Sequence, residues 1–136
     1  MKIRNGVDIL VVSRLEEAYN RQGEKFLNKI FTSGEIAYCT TETGTYRWRS
    51  LAGRFAAKEA LAKALGTGIA HGVRLTDIEV VGGVSGGLSA EATGGPTLIL
   101  HGEALQKFHM GGFEGSSLSL AHDGDYVVAT VVLWGK

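Results

Sequence analysis

Apolar positions follow two periods along this chain. Residues 3–12 read as a strand that contains the run GVDILVV. SRLE at 13–16 has the spacing of a capping box, with Ser13 as cap and Glu16 reaching back. It opens a helix that runs to about Asn20–Gln22 and is interrupted at Gly23. EKFLNKIF reads as a short helical stretch, and TSGE at 32–35 repeats the capping-box pattern before another helix. The longest helical signal is YRWRSLAGRFAAKEALAKALG, 46–66, rich in good helix formers. Leu51, Phe55, Ala62 and Leu65 sit near helical spacing and are expected to pack inward, and Gly66 is expected to end the helix in a left-handed conformation.

The second half changes to short β-branched runs. IEVV (78–81), LSAEA (88–92), TLILH (97–101), SLSLAH (117–122) and YVVATVVLW (126–134) read as strands, with a short helix near 103–110. The glycine-rich patches at 82–87 and 111–115 read as loops or turns. Asp123-Gly124 between the last two strands signals a hairpin, hence antiparallel pairing. The class is α+β, an antiparallel sheet packed on one long helix. Residues 1–136 show no clear repeat or linker and read as a single domain. The last strand lacks the alternation expected when one face meets water: Val127, Val128, Val131, Val132 and Leu133 fall on both faces. One helix cannot cover both, so packing of subunits sheet to sheet is expected, with Val131 and Leu133 as positions where Lys would disrupt assembly or folding.

Composition narrows the field. Apolar residues make up 44% and charged ones 21%, the profile of a soluble globular protein. Lys plus Arg and Asp plus Glu stand at 14 each, so net charge points to neither a nucleic acid nor an acidic partner, and any electrostatic recognition must come from local clustering. A single cysteine, Cys39, cannot form an internal disulfide and favours a reducing, cytoplasmic setting. No segment has the roughly 20 apolar residues of a membrane span.

Asp8 interrupts the first apolar strand. A carboxylate there must reach solvent or have a partner: an arginine, backbone donors or a metal. Glu59 and Lys63 share a face of the long helix, where the plain reading is a surface salt bridge. The pair borders an apolar stripe, however. Glu59 and Asp8 together make a plausible two-carboxylate site for Mg²⁺, which completes its shell with water and phosphate oxygens. Lys63 would then face the same phosphates. Gly66-Thr67-Gly68 follows at a helix C-terminus, where any anion must be held by loop amides and cations, not by the helix dipole. Arg54 is a candidate cation, as are Arg47 and Arg49, against the plain reading of a solvated face. His122, at a strand end, reads as structural or as a phosphate or acid–base group; His71, His101 and His109 are given no role. Arg14, Arg21, Lys25 and Lys29 recur at steps of seven and four. If the helical path survives Gly23, they form a basic ridge, either a solvated face or a dock for an acidic partner.

With GVDILVVSR, FLNKIFTSGE, FAAKEALAKALGTG, SLSLAH and DYVVATVVL in view, the chain resembles the holo-[acyl-carrier-protein] synthases, the small bacterial 4′-phosphopantetheinyl transferases. The likeness spans nearly the whole chain. It implies that Asp8 and Glu59 bind Mg²⁺, that Lys63 lies beside the coenzyme A diphosphate, and that Gly66, Thr67 and Gly68 line the cofactor. It also places His122 near the nucleotide and Arg14, Arg21 and Lys25 on the helix that docks the acidic acyl carrier protein. A homotrimer with sites between subunits is implied too. The family often has Gly-Lys-Pro where this chain has Gly94-Gly95-Pro96, and a Ser or Thr where Ala121 precedes His122. The activity expected is transfer of the 4′-phosphopantetheine arm of coenzyme A to a carrier serine, in support of fatty acid biosynthesis. The alternative is a non-catalytic coenzyme A or nucleotide-binding module on the same fold.

Overall fold

The computed structural model describes residues 1–66, 72–82 and 95–136. Strand β1 (Lys2–Val11) leads directly into helix α1 (Val12–Gln22), followed by α2 (Glu24–Ile30), α3 (Ser33–Tyr38) and the long α4 (Trp48–Leu65). A 3-10 turn at Leu75–Asp77 precedes β2 (Ile78–Val81), then come β3 (Thr97–Leu100), α5 (Gly102–Met110), β4 (Phe113–Asp123) and β5 (Tyr126–Gly135). The main sheet has the order β1-β5-β4, antiparallel throughout, and β2 pairs with β3 in a separate two-stranded sheet. This is the expected α+β class. The expected strand at 88–92, the patch at 83–87, and Thr67, Gly68 and His71 lie outside the described residues.

α4 is the core. Leu51, Ala52, Ala56, Ala57, Ala60, Leu61, Ala62 and Ala64 are all buried, on every side of the helix. An alanine-rich helix can be enclosed this way because its small side chains let neighbours come close. Gly6 of β1 shows how close: a Cβ there would lie 2.0 Å from the backbone oxygen of Ala60. β1 and α4 therefore touch backbone to backbone, which sets where Asp8, two residues on, meets the helix. Gly66 ends α4 in the left-handed region, at φ 85°, as expected.

Several elements differ from expectation. Ser13 does not cap α1: the N-cap is Val11, and Ser13 bonds to Asp125 on the β4–β5 turn. The box at Thr32 and Glu35 does form. Gly23, at φ 77°, breaks the path into two helices, so the basic residues do not run along one continuous ridge. Of the patch at 111–115, Gly111-Gly112 turns but Phe113–Gly115 already belongs to β4.

GVDILVV is not buried on both faces: Val7 and Ile9 are 54% and 62% exposed, while Gly6 faces α4. β5 places Val127, Ala129, Val131 and Leu133 inward and Tyr126, Val132 and Trp134 outward. Leu133 and Val131 are thus core residues. The outer apolar face is built instead from Ile3, Val7, Ile9, Val132 and Trp134, with Trp134 opposite Ile3.

Candidate active site

β1 presents Asp8 toward α4, and α4 brings Glu59 and Lys63 to it. The Lys63 ammonium donates to an Asp8 carboxylate oxygen at 3.2 Å and to the Val7 carbonyl at 2.9 Å. The Glu59–Lys63 salt bridge of the plain reading is replaced by this Asp8–Lys63 pair. Asp8 is 20% exposed and Lys63 54%, so the cluster opens to solvent on one side. Burial pushes the Glu59 carboxyl above the ordinary carboxylate range, the Asp8 charge adds to the rise, and Lys63 opposes it. Asp8 and Glu59 thus lie near enough for the charge of one to act on the other, with the Lys63 ammonium beside Asp8. That donor set fits a hard divalent cation that takes two carboxylates and keeps open positions for water and phosphate oxygens.

A second feature lies at the other edge of the sheet. A cavity of about 810 Å³ is lined by Tyr38, Arg47, Arg49, Ser50, Gly53, Arg54 and His122 together with Gly95-Pro96 and β4 residues 118–120. Arg54, a candidate cation whose plain reading was a solvated face, is only 2% exposed. Its guanidinium donates to Ser50 Oγ and to the Gly82 carbonyl, both at 2.9 Å, and lies 4.5 Å from the centre of the Tyr38 ring. Its Nε is buried and has no hydrogen-bond partner among the described residues. Arg47 is held by the carbonyls of Tyr38 and Thr40, and His122 Nε2 donates to the Arg49 carbonyl at 3.1 Å. Three guanidinium groups around one cavity make a site for an anion with several oxygens. Among the described residues nothing lies within 4 Å of where a Cβ on Gly95 would stand, so the lysine missing there leaves no packing defect against them.

The sequence-predicted residues therefore fall into separate groups. Asp8, Glu59 and Lys63 meet on the β1 side, whereas Arg54 and His122 meet at the cavity on the β4 side, two strands away. Gly66 is exposed at the end of α4, beyond Lys63. Arg14, Arg21 and Lys25 are exposed, and the ion pairs among the described residues involve other groups.

Sequence reasoning missed one charged pair altogether. The Lys58 ammonium lies 2.7 Å from the Glu35 carboxylate, with both side chains fully buried. Lys58 also donates to the carbonyls of Leu75 and Ile78, and Glu35 accepts from the Val80 and Thr32 amides at 2.8 and 2.9 Å. The pair ties α3 and the start of β2 to α4, and just past the end of β2 the Gly82 carbonyl accepts from Arg54 on the same helix. The available signal was spacing: Lys58 lies on the stripe of Leu51, Arg54 and Leu61, one face of the helix.

Comparison with known proteins adds the following. The profile of the 4′-phosphopantetheinyl transferase superfamily matches residues 4–131. A holo-[acyl-carrier-protein] synthase from Carboxydothermus hydrogenoformans is 48% identical over 130 residues, covering 96% of each chain. The solved structure of holo-[acyl-carrier-protein] synthase from Neisseria meningitidis is similar at TM-score 0.78 and 32% identity, covering 96% of this chain and 97% of that one. The Helicobacter pylori holo-[acyl-carrier-protein] synthase, solved in complex with coenzyme A, is similar at TM-score 0.76 and 29% identity, covering 96% of this chain and 99% of that one.

Proposed function

Because the chain belongs to the 4′-phosphopantetheinyl transferase superfamily, we propose the following reading of its reaction and site. It transfers the 4′-phosphopantetheine group of coenzyme A to a serine hydroxyl of apo acyl carrier protein, in support of fatty acid biosynthesis. The second product is adenosine 3′,5′-bisphosphate. The observation that carries this reading is the pairing of a two-carboxylate cluster with a separate arginine-lined cavity, each suited to a different part of one phosphate-rich donor.

Asp8 and Glu59 would hold Mg²⁺, which when bound would offset the charge of the diphosphate. Phosphoryl transfer rests on positioning and charge stabilisation more than on covalent chemistry. Asp8 is fixed by a strand packed directly on α4, and Glu59 by α4 itself, so the two carboxylates keep their spacing without ligand. Lys63 is half exposed and turns from Asp8 toward the diphosphate, where its charge stabilises the leaving phosphate. The serine proton passes to water or to the Glu59 carboxylate. Gly66, Thr67 and Gly68 contact the donor, as the family resemblance implies. Arg54 and His122, with Arg47 and Arg49, hold the nucleotide phosphates in the cavity.

The two halves lie at opposite edges of a three-stranded sheet. A second subunit, packed on the outer apolar face, can bring its cavity edge against the Asp8 edge of the first. Three such contacts close a ring, a homotrimer with each active site shared by two chains. Arg14, Arg21 and Lys25 form the exposed surface that docks the acidic carrier protein. Among the described residues no helix is long and apolar enough to cross a membrane, and the lone Cys39 is fully buried; one domain over 1–136 working in the cytoplasm accords with both.

The test is direct. Incubation with coenzyme A, Mg²⁺ and an apo carrier protein is expected to raise the carrier's mass by one phosphopantetheine group. Asp8→Asn or Glu59→Gln is expected to stop the gain while the fold is retained. An unchanged carrier mass with the intact chain would overturn the reading in favour of a coenzyme A-binding module.

A further inference from the structure

The tip of the β4–β5 hairpin completes a helix in the first turn of which Ser13 lies 112 residues earlier than Asp125. α1 starts directly out of β1, and its N-cap is Val11, whose side chain accepts no hydrogen bond. The first amides of a helix have no partner within it. Here they are met by Asp125. The Val12 N–H donates to the Asp125 main-chain carbonyl at 2.7 Å, the Ser13 N–H donates to its carboxylate at 3.2 Å, and the Ser13 hydroxyl donates to the same carboxylate. A carboxylate is also the charge that a helix N-terminus favours. Next to it, the Gly124 carbonyl accepts from Arg49 at 3.3 Å. The tip thus has two separable contacts. The Asp125 side chain holds α1, and the Gly124 main chain holds a residue of the cavity.

The turn that Asp125 holds has Val12 and Leu15 buried beneath it and Arg14 exposed on top. Arg21 lies at the far end of α1, near Gly23, beyond the reach of the cap. Asp8 lies on the strand immediately before this turn. We propose that Asp125 is a positioning residue for the acceptor protein. It keeps the first turn of α1 wound, so that Arg14 meets the acidic partner at a fixed distance from Asp8. The inference rests on the docking role given above to α1.

The test uses the full chain, with apo acyl carrier protein and coenzyme A as substrates. Asp125→Ala is expected to raise KM for the carrier about fivefold, the ratio that corresponds to losing one helix cap of ordinary strength. Turnover and KM for coenzyme A are expected to stay the same, because the Gly124 contact to Arg49 is main chain. Asp125→Asn, which keeps an oxygen acceptor for the Ser13 amide, is expected to recover most of the wild-type KM. The decisive readout is a double-mutant cycle. Asp125→Ala combined with Arg14→Glu is expected to be little worse than Arg14→Glu alone, whereas its effect adds to that of Arg21→Glu. If Arg14→Glu leaves the carrier KM unchanged, the docking role of α1 fails, and this inference with it. If Arg14→Glu raises that KM but Asp125→Ala lowers only the melting temperature, docking stands and this inference alone is overturned. The same holds if the Asp125 and Arg14 effects simply add.

Discussion

Replacing Lys58 by Met removes a buried charge and keeps the length of the side chain. The ammonium has three partners: the Glu35 carboxylate at 2.7 Å, the Leu75 carbonyl at 2.9 Å and the Ile78 carbonyl. Burial pulls the Lys58 amine below its ordinary range, and the Glu35 charge opposes that pull. The pair's net worth is therefore modest, but breaking it is another matter. In Lys58→Met the Glu35 carboxylate keeps the Thr32 and Val80 amides yet loses its only ion-pair partner among the described residues. Leaving one buried charge uncompensated costs about 3–5 kcal/mol. The two remaining amide bonds favour the lower end, about 3 kcal/mol, out of a total of roughly 5–15 kcal/mol for a domain. At about 3–5 °C per kcal/mol for a chain of this size, the melting temperature should fall by about 10–15 °C. Thermal unfolding followed by circular dichroism is the assay, at one fixed protein concentration because the proposed assembly would make stability depend on it. Adding Glu35→Gln should restore about half of the loss, since the uncompensated charge goes with it. The loss should also reach the cavity: Ile78 opens β2 and Gly82 beyond it anchors Arg54, so KM for coenzyme A should rise. A drop below about 1 kcal/mol, or a double variant no more stable than the single one, would refute this account of the pair.

Three further outcomes are expected. Glu59 has a folded-state carboxyl raised above its unfolded value, so the stability it contributes is complete below the ordinary carboxylate range and lost as pH rises through the raised value. Without divalent cation, Glu59→Gln should therefore melt higher than wild type by a margin that grows from acid toward neutral pH; added Mg²⁺ should reverse the order, and a pH-independent margin would contradict this. Arg54→Lys keeps a charge but loses the fork that spans Ser50 and the Gly82 carbonyl, so KM for coenzyme A should rise about tenfold or more while that for the carrier holds. Val132→Lys, on the outer face, should give folded but dissociated and inactive subunits in sedimentation, whereas Leu133→Lys, fully buried, should not fold; an active Val132→Lys monomer would exclude the shared site.

Long periodic elements were legible in the sequence because local chemistry decides them. The span of α4, its end at Gly66, the Thr32–Glu35 box and the final hairpin follow from propensity and capping alone. What was not legible depends on residues distant in sequence. Ser13 and Glu16 have the spacing of a cap, but a hairpin tip supplies a better-placed carboxylate, and tertiary contact overrides the local pattern. Arg54 and Lys58 look like solvated charges on a helix; only the packing of α3 and β2 onto α4 shows them buried and bonded. The same limit applies to the site. The likeness of motifs named Asp8, Glu59, Lys63 and His122, and the helix pattern offered Arg54, but neither said that the first three stand at the opposite edge of the sheet from Arg54 and His122. Val131 and Leu133 were misplaced because a run apolar at every position does not say which face meets the helix.

The central claim is that these two halves act together across a subunit boundary, and mixing two inactive variants tests it most directly. Glu59→Gln destroys the carboxylate cluster and Arg54→Met the cavity. In trimers reassembled from equal amounts, an intact site needs its carboxylates from an Arg54→Met chain and its cavity from a Glu59→Gln neighbour, which random assembly provides in about a quarter of sites. Carrier protein modified at about a quarter of the wild-type rate, against none for either variant alone, is the predicted result; no recovery in trimers shown to be mixed would place both halves within one chain and contradict it.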